Sequence, residues 1–480
     1  MKPMMRNMVR FGVLLTYIGG CAVQQPPQIE ELVEEALPET TEIPLDFEEA
    51  AATASGRVLD GWLDTFGDPE LEAIVAEAIL NNLNLRAAVA RLDQAAGFAI
   101  QAGAELKPAI GIGGQTQGRE GFSSGDPGLS TSGVALNMSW ELDLWGRVRS
   151  QAAAGQSAFE ASQYQLEWVY QSIAAQTAKT WYLVTEAALQ EKLAVEALEL
   201  YQRTLDLVNA RYAQGQVTSR ETALARANVA AGQVAVRQIK AAKQQASRAL
   251  EVMLGRYPAA RIEGAEDLRA TPPAIPVGLP SELLERRPDL LAAERAVAAQ
   301  YYTIQNAEAA RLPRISLTAG AGTNSSELGD LLSLGGDFWS AGANFVAPVF
   351  TGGALEAQVD VESAQYQEAM ANYGLAALRA FSEVEQGLSS ETLLREQETY
   401  LREVVKESAE ALRVATAQFN IGKVDLLSVL QQQGQLVSAR GNLLNIRDSR
   451  LQQRIDLHLA VGGSFELTPA EPESGQPIDQ

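Results

Sequence analysis

The sequence predicts a mainly α-helical protein with a membrane-spanning β part, built as a twofold internal repeat, and three observations predict it. The first is self-similarity. A long helical run leads to the turn Ala213-Gln214-Gly215-Gln216, and a second run closes on Leu254-Gly255; about 207 residues later Asn420-Ile421-Gly422-Lys423 and Val461-Gly462 repeat the pattern. The second is a helix of unusual length. Thr180, Val184, Ala187, Glu191, Ala194, Leu198, Tyr201, Leu205, Val208 and Tyr212 alternate steps of four and three residues, the period of a coiled-coil seam. That helix runs for about 65 residues, or roughly 100 Å at 1.5 Å per residue, where globular helices span three or four turns. A core-facing stripe of an ordinary bundle is the alternative, and the length disfavours it. The third is a change of period to two in four segments of about ten residues, the length of a membrane-crossing strand.

Charge and composition exclude several classes. The 480-residue chain has a formal net charge of -22, which rules out a phosphate-binding footprint as its main business. Aromatics make up only 6%, which suits long helices in contact rather than a thick globular core. Much of the acid is local: Glu30, Glu31, Glu34, Glu35, Glu39, Glu42, Asp46, Glu48 and Glu49 lie with four prolines in a stretch lacking Lys and Arg. This stretch reads as a solvated tether rather than a folded element.

The start of the chain carries Lys2, Arg6 and Arg10, then an apolar run from Phe11 to Ile18, then Gly19-Gly20-Cys21. The pattern is that of an export signal, too short to span a bilayer. Cys21 is the only cysteine, and its place after Ile18-Gly19-Gly20 resembles a bacterial lipobox, whose cysteine becomes lipidated; the incidental thiol is the bland alternative. Ala22 rather than Asp follows, which by the same resemblance favours the outer membrane.

In chain order, Asp68 and Pro69 mark a helix N-terminus, the helical pattern breaks at Asn81-Asn82, and Lys107-Pro108 ends it. Ile110 and Ile112 then alternate with glycines, and Val134, Leu136, Met138, Trp140 and Leu142 alternate with Ala135, Asn137, Ser139, Glu141 and Asp143. Leu312-Pro313 repeats Lys107-Pro108, and Ile315, Leu317 and Ala319, then Trp339, Ala341, Ala343 and Phe345, mark the second pair of strands. The apolar faces suit lipid and the polar faces a wet lumen. Trp140, Trp145, Trp339 and Phe350 suit an interfacial aromatic belt, Trp145 and Phe350 at equivalent strand exits. A soluble hairpin is the alternative, but nothing else in the chain offers a core for it to cover.

Four strands cannot close a barrel, because the smallest membrane barrels have about eight and an open edge cannot face lipid. Several chains must share one wall, and three would give twelve strands. The expected layout is an export signal over 1–20, a lipidated acidic tether over 21–60 and a first repeat over 61–255, with its hairpin about 109–143 and its tip near 213–217. An equatorial linker follows over 256–287, with Ser281 capping a short helix. The second repeat covers 288–463, with its hairpin about 314–347 and its tip near 420–424, and a disordered tail covers 464–480.

The run Leu279-Pro280-Ser281-Glu282-Leu283-Leu284-Glu285-Arg286-Arg287-Pro288-Asp289-Leu290 and the strand exit Trp140-Glu141-Leu142-Asp143-Leu144-Trp145-Gly146-Arg147 are recognisable. With the paired Tyr212-x-x-Gly215 and Phe419-x-x-Gly422 turns, they resemble the TolC-like outer-membrane efflux factors over roughly residues 61–463. Within these the lipoprotein branch that includes OprM and NodT is most similar. The resemblance implies a homotrimer in which a 12-stranded outer-membrane barrel continues into a periplasmic α-helical barrel. It also implies docking with a periplasmic membrane-fusion adaptor and an inner-membrane pump of the RND type. Carried over by position, Tyr212, Gly215, Val217, Phe419, Gly422 and Val424 would meet the adaptor. Asp425 is either a ring of three acids that gates the duct or a helix N-cap. Gln431 departs from the family, where an Asp is usual.

No chemistry beyond transport is legible. His458 is the sole histidine, with no partner for a metal site. Gly111-Ile112-Gly113-Gly114 lacks the spacing and the strand-to-helix setting of a dinucleotide loop. The expectation is a passive, non-enzymatic duct without cofactor, metal or nucleic acid, held in outer-membrane lipid. A lipid-anchored periplasmic coiled-coil scaffold without a pore is the competing reading.

Overall fold

The alternating segments are extended and the seam segments helical in the computed structural model, which describes residues 23–38, 40–48, 58, 60–119, 129–325 and 337–465. In order the elements are α1 (Ile29–Ala36), a 3₁₀ turn (Trp62–Phe66), α2 (Pro69–Asn81), α3 (Leu83–Ala104), β1 (Ala109–Arg119) and β2 (Leu129–Leu142). There follow α4 (Arg147–Ala213), α5 (Ser219–Met253), α6 (Pro280–Arg286), α7 (Pro288–Ala309), β3 (Arg314–Ser325), β4 (Asp337–Val346), α8 (Ala354–Asn420) and α9 (Leu426–Ala460).

The repeat holds to the residue. Both long helices α4 and α8 have 67 residues, α5 and α9 have 35, and α3 and α7 have 22. The offset is 205 up to the strand exits, from Trp145 to Phe350, and 207 beyond them, from Arg147 to Ala354. Gly146 in the first copy is replaced by Thr351-Gly352-Gly353 in the second, and this two-residue insertion accounts for the change.

Two compact units form. The first comprises residues up to 41, 90–165 and 289–376; the second comprises 42–89, 166–288 and 377 onward. The first unit holds the sheet, in the order β1-β2-β3-β4 with every neighbour antiparallel. β1 extends to Arg119 opposite Leu129, so the ladder reaches into the segment that composition assigned to a loop.

The second unit is organised on the middle of α4. Ala174, Ala175, Ala178, Trp181, Tyr182 and Val184 are buried on more than one helical face, and Trp62, Phe66, Leu71, Val75, Leu250, Leu254, Leu451 and Ile455 pack with them. Asp68 caps α2, accepting from the amides of Glu70 (3.2 Å) and Leu71 (3.3 Å), and its other oxygen accepts from Trp181 Nε1 (3.2 Å). Asn82 breaks α2 from α3 by capping the latter, its Oδ1 accepting from Asn84 N at 2.8 Å, while its Nδ2 donates to Met253 O at 2.9 Å. Glu191, the one charge in the seam, is matched by Lys243 of α5, whose Nζ is 3.2 Å from its carboxylate.

The Arg286-Arg287-Pro288-Asp289 run acquires a physical role here. Arg287 is buried; its guanidinium lies 5.0 Å from the Trp168 ring centroid and donates to Glu383 (2.6 Å) and to the carbonyl of Ala460 (3.2 Å). Such a buried charge is tolerable only with its donors satisfied. Arg286 donates to the carbonyl of Gly462 at 3.0 Å.

Three sequence expectations are corrected. The acidic stretch is not all solvated tether: residues 29–36 form α1, with Leu32 only 1% exposed among Val297, Tyr366, Met370 and Tyr373. Ile29, Leu32, Val33 and Ala36 fall on one helical face while Glu30, Glu31, Glu34 and Glu35 are exposed, so net charge concealed an amphipathic period. Ser281 does not cap the short helix. Pro280 occupies the first helical position, and Glu282 reaches back to the amide of Leu279 at 3.3 Å. The tail begins later than residue 464, because Ser464 accepts from Gly61 N (2.9 Å) and buried Phe465 donates its amide to Gln171 (3.0 Å). The expected export signal, with Cys21 and the rest of the tail, lies outside the described residues.

Candidate functional site

A conduit wall needs one apolar face, one polar face and edges that can pair. The register supplies the faces across all four strands. Ile112 pairs with Leu136, Leu136 with Ala321 and Ala321 with Trp339; Ile110, Met138, Ala319 and Ala341 form the next row. Because paired residues point to the same side, the whole alternating apolar set lies on one face. Asn137, Ser139, Ser316, Thr318, Ser340 and Asn344 lie on the other with Gly111, Gly113 and Gly342. Gly320 and Gly322 belong to that second face, and at Gly322 a side chain would run into the carbonyl of Val134. The apolar face is bare in the single chain, with Trp339 82% exposed and Ile110, Ile112 and Phe345 also exposed. Among the described residues β1 and β4 each keep one unpaired edge.

The strand exits carry the expected aromatics. Trp140 Nε1 donates to Leu106 O (3.1 Å) and Trp145 Nε1 to Pro313 O (2.6 Å), so each indole satisfies its polar atom at a chain crossing. Phe350 is 91% exposed. At the first exit Arg147 makes a two-point contact with Glu141 (2.9 and 3.0 Å), which raises the guanidinium pKa further. Asp143 caps α4 by accepting from Val148 N (3.2 Å) and Arg149 N (2.9 Å). The second exit, Pro348 to Gly353, has no such acids in its sequence.

The second unit contains both tips. Each long helix ends in the same way: Gln216 N bonds Arg211 O and Lys423 N bonds Gln418 O, both at 2.9 Å, and Gly215 and Gly422 each adopt φ +71°. These are Schellman-type ends, which the left-handed conformation reserves for glycine. The helices that follow start differently. Thr218 donates its amide to Glu221 at 2.7 Å, whereas Asp425 accepts from Ser428 N (3.0 Å) and Ser428 Oγ (2.8 Å). Those Ser428 hydrogen bonds, the hydroxyl first, lower the Asp425 pKa. Asp425 is therefore an N-cap by geometry.

The tip residues do not all point outward. Tyr212 is 50% exposed and Gly215 and Gly422 are open, but Phe419 is only 4% exposed. It packs with Val208, Ala225, Leu426, Val429 and Leu430, and Val217 and Val424 flank the same cluster. Phe419 thus faces inward, and its ring is the core that joins the two tips. Sequence pattern missed two residues here. Arg211 lies 4.4 Å from the Phe419 centroid and donates to Phe419 O (3.2 Å) and Asn420 Oδ1 (3.1 Å). Gln433 is buried and donates to Thr204 Oγ1 at 2.8 Å. Their signal is a long-range contact, with no local period. Gln431 is exposed on α9.

Among the described residues no group of three acids, His or Cys is placed to hold a metal. Buried His458 stacks at 5.7 Å on Trp62, and neither ring nitrogen finds a partner; burial, and then the neighbouring Arg454 charge, push its pKa down to about 3. Burial, and then Glu186, push Asp448 up to about 7. No described helix is long and apolar enough to cross a membrane.

The family model "Outer membrane efflux protein" matches residues 74–256 and 279–463, one match per repeat. The pyoverdine export outer membrane protein OpmQ of Pseudomonas aeruginosa is 31% identical over 434 residues, 87% of this chain and 90% of its own. The cation efflux system protein CusC of Escherichia coli K12 is 28% identical over 411 residues, covering 84% of this chain and 88% of its own. The crystal structure of the Neisseria gonorrhoeae MtrE outer membrane channel superposes with a TM-score of 0.82 at 28% identity, over 93% of this chain and 99% of that one.

Proposed function

We propose a mechanism from one premise: this chain belongs to the outer membrane efflux protein family. It is the outer-membrane channel of a tripartite efflux system, taking cargo onward from an inner-membrane pump and a periplasmic adaptor. The observation that carries the mechanism is the register-matched sheet, apolar on one face and polar on the other, with an unpaired strand edge at each side. Backbone edges in hydrocarbon cost several kcal/mol per unsatisfied group, so β1 of one copy pairs with β4 of the next until the wall closes. Three copies give twelve strands and a lumen lined by amides, hydroxyls and glycines. Such a lining holds water and discriminates little, so cargo choice belongs to the pump. The relatives are named for cargo as different as pyoverdine and cations. The pore-less scaffold has no use for a bare apolar sheet.

The finer assignments follow the same logic. Cys21 is lipidated and anchors the chain in the outer membrane, two or more acyl chains being enough for stable binding. The pump is of the RND type. Tyr212, Gly215 and Gly422 present the adaptor-facing surface, with Val217, Phe419 and Val424 shaping it from beneath. Asp425, one per chain and three per trimer, places like charges around the axis and favours cations there.

Reconstitution tests the duct. Detergent-extracted protein should run as a heat-modifiable trimer and conduct in planar bilayers; a monomer without conductance would sink the reading. A cysteine in place of Gly215 or Gly422 should capture an adaptor hairpin in living cells. Recovery of chaperones alone would remove the docking assignment.

A further inference from the structure

The helical hairpin α4–α5 meets the hairpin α8–α9 along α4 and α9, and a ladder of polar pairs fixes their register. Lys179 Nζ donates to Asp456 at 2.8 Å, and Gln190 Nε2 donates to Asn445 Oδ1 at 3.1 Å and to the carbonyl of Gly441 at 2.9 Å. From Lys179 to Gln190 α4 advances eleven residues, and from Asp456 to Asn445 α9 retreats eleven, so the two run antiparallel in step. Glu186, seven residues past Lys179, therefore falls opposite position 449, next to Asp448. It lies four residues before Gln190, and Asp448 three after Asn445, so both acids share the facing sides of their helices. They are 9% and 6% exposed. The rungs above and below pair a donor with an acceptor, whereas this one sets acid against acid.

The charged groups around this rung are committed elsewhere. On α4 Lys179 is taken by Asp456, and on α5 Lys243 pairs with Glu191 and Glu263. Arg447 of α9 reaches Asp267 and the carbonyl of Leu268 in the linker, while Arg450 and Arg454 turn to Glu398 and Glu391 of α8. Gln190 Nε2 donates to Glu186 Oε1 (2.9 Å) and Gln452 Nε2 to Asp448 Oδ2, but Asp448 Oδ1 has no hydrogen-bond partner among the described residues. Two buried carboxyl groups side by side do not both stay ionised, and a proton held between them occupies the orphaned oxygen. Burial, and then the neighbouring acid, raise Asp448; burial raises Glu186 against the lowering effect of Gln190. Glu186, Gln190, Tyr201, Gly232, Ser438 and Asn445 line a groove of about 480 Å³ between α4, α5 and α9, which gives water a route to the rung. At the equivalent positions of the other repeat, 207 residues away, stand Leu393 and Ala241, so the helices do not need acids there to pack.

We propose that Glu186 and Asp448 are a proton latch between the two helical hairpins: one shared proton bonds α4 to α9, and its loss to water through the groove leaves two like charges that part the helices at this rung. The raised carboxyl puts the closed form on the acid side, so the rung holds below about pH 7 and loosens as pH rises through that value. Along α4 the latch is about 40 Å from the tip at 1.5 Å per residue, so it sets the seam at a level separate from the contact of Arg211 with Phe419.

Hydrogen exchange on the full-length protein in detergent, from about pH 5.5 to 8.5 and corrected for the intrinsic rate at each pH, tests the latch. Peptides covering residues 183–194 and 441–452 should open about fivefold more at the alkaline end, while those of β2 and β3 stay unchanged. Asp448→Asn keeps the shape and a donor for Glu186, and its exchange should be slow at both ends of the range. The pair Glu186→Leu with Asp448→Ala, borrowed from the other repeat, should likewise lose the pH dependence. Infrared spectra of the same samples read the proton itself: a protonated-carboxyl band should fade as pH rises in the wild type and be missing from Asp448→Asn. Flat wild-type exchange, or a rise that survives in Asp448→Asn, overturns the latch. An infrared change identical in the two proteins shows that no proton is shared at this rung and removes the premise.

Discussion

The guanidinium of Arg211 lies over the ring of Phe419, 4.4 Å from its centroid, so the end of the first long helix grips the end of the second. Arg211 also donates to Phe419 O and Asn420 Oδ1, so the two hairpin tips are tied to one another. Arg211→Ala should cost about 1–3 kcal/mol locally. Hydrogen exchange of residues 415–424 should quicken while the sheet is unaffected. Arg211→Lys should restore little, because an ammonium cannot stack and fork together. Unchanged exchange in the alanine variant would show the grip to be idle.

Asp425 caps α9 through Ser428, and its pKa is lowered. The cap is therefore present above the ordinary carboxylate range and is lost as pH falls through the depressed value. Asp425→Asn keeps an acceptor and should preserve slow exchange at the start of α9, whereas Asp425→Ala should lose it. Both variants remove the charge. If three carboxylates attract cations at the axis, cation preference in planar bilayers drops equally in both; if it drops in neither, Asp425 is a cap alone.

His458 and Asp448 pull stability in opposite directions as pH falls. His458 has a pKa near 3 when folded against about 6.5 unfolded, so the unfolded chain takes up the proton first and stability falls from pH 6.5 toward 3. Asp448 has a pKa near 7 when folded against about 3.9 unfolded, so the folded chain takes up the proton first and gains stability as pH falls from 7 toward 4. Each effect is on the order of 4 kcal/mol, so the two contributions largely offset one another between pH 4 and 6.5. His458→Gln should become more stable in acid and Asp448→Asn less so. Melting temperatures at pH 7 and 4.5 test both, and parallel shifts in the two variants would refute the opposition.

Gly374 leaves room for Ala36 O, and a methyl there would sit 2.5 Å from it. Gly374→Ala should cost about 1–3 kcal/mol by overpacking and release α1. Residues 23–41 should then become protease-sensitive while the helical signal of α8 is retained. Protection equal to wild type would mean that α1 is not seated against Gly374.

The sequence by itself determined the repeat, the four strands, the long helices and both glycine turns, because periodicity and turn chemistry are local. A period of two or of seven is written along the chain, and only glycine suits φ +71° at residues 215 and 422. Family resemblance supplied the partners. Tertiary structure decided what depends on distant atoms. It folded α1 from an acidic run whose charge masked its apolar face, turned Phe419 inward, placed Arg211 on it and seated Gln24 against Gln305, which lies 281 residues away. Burial and long-range hydrogen bonds join residues that share no local pattern, so no window of sequence contains their signal.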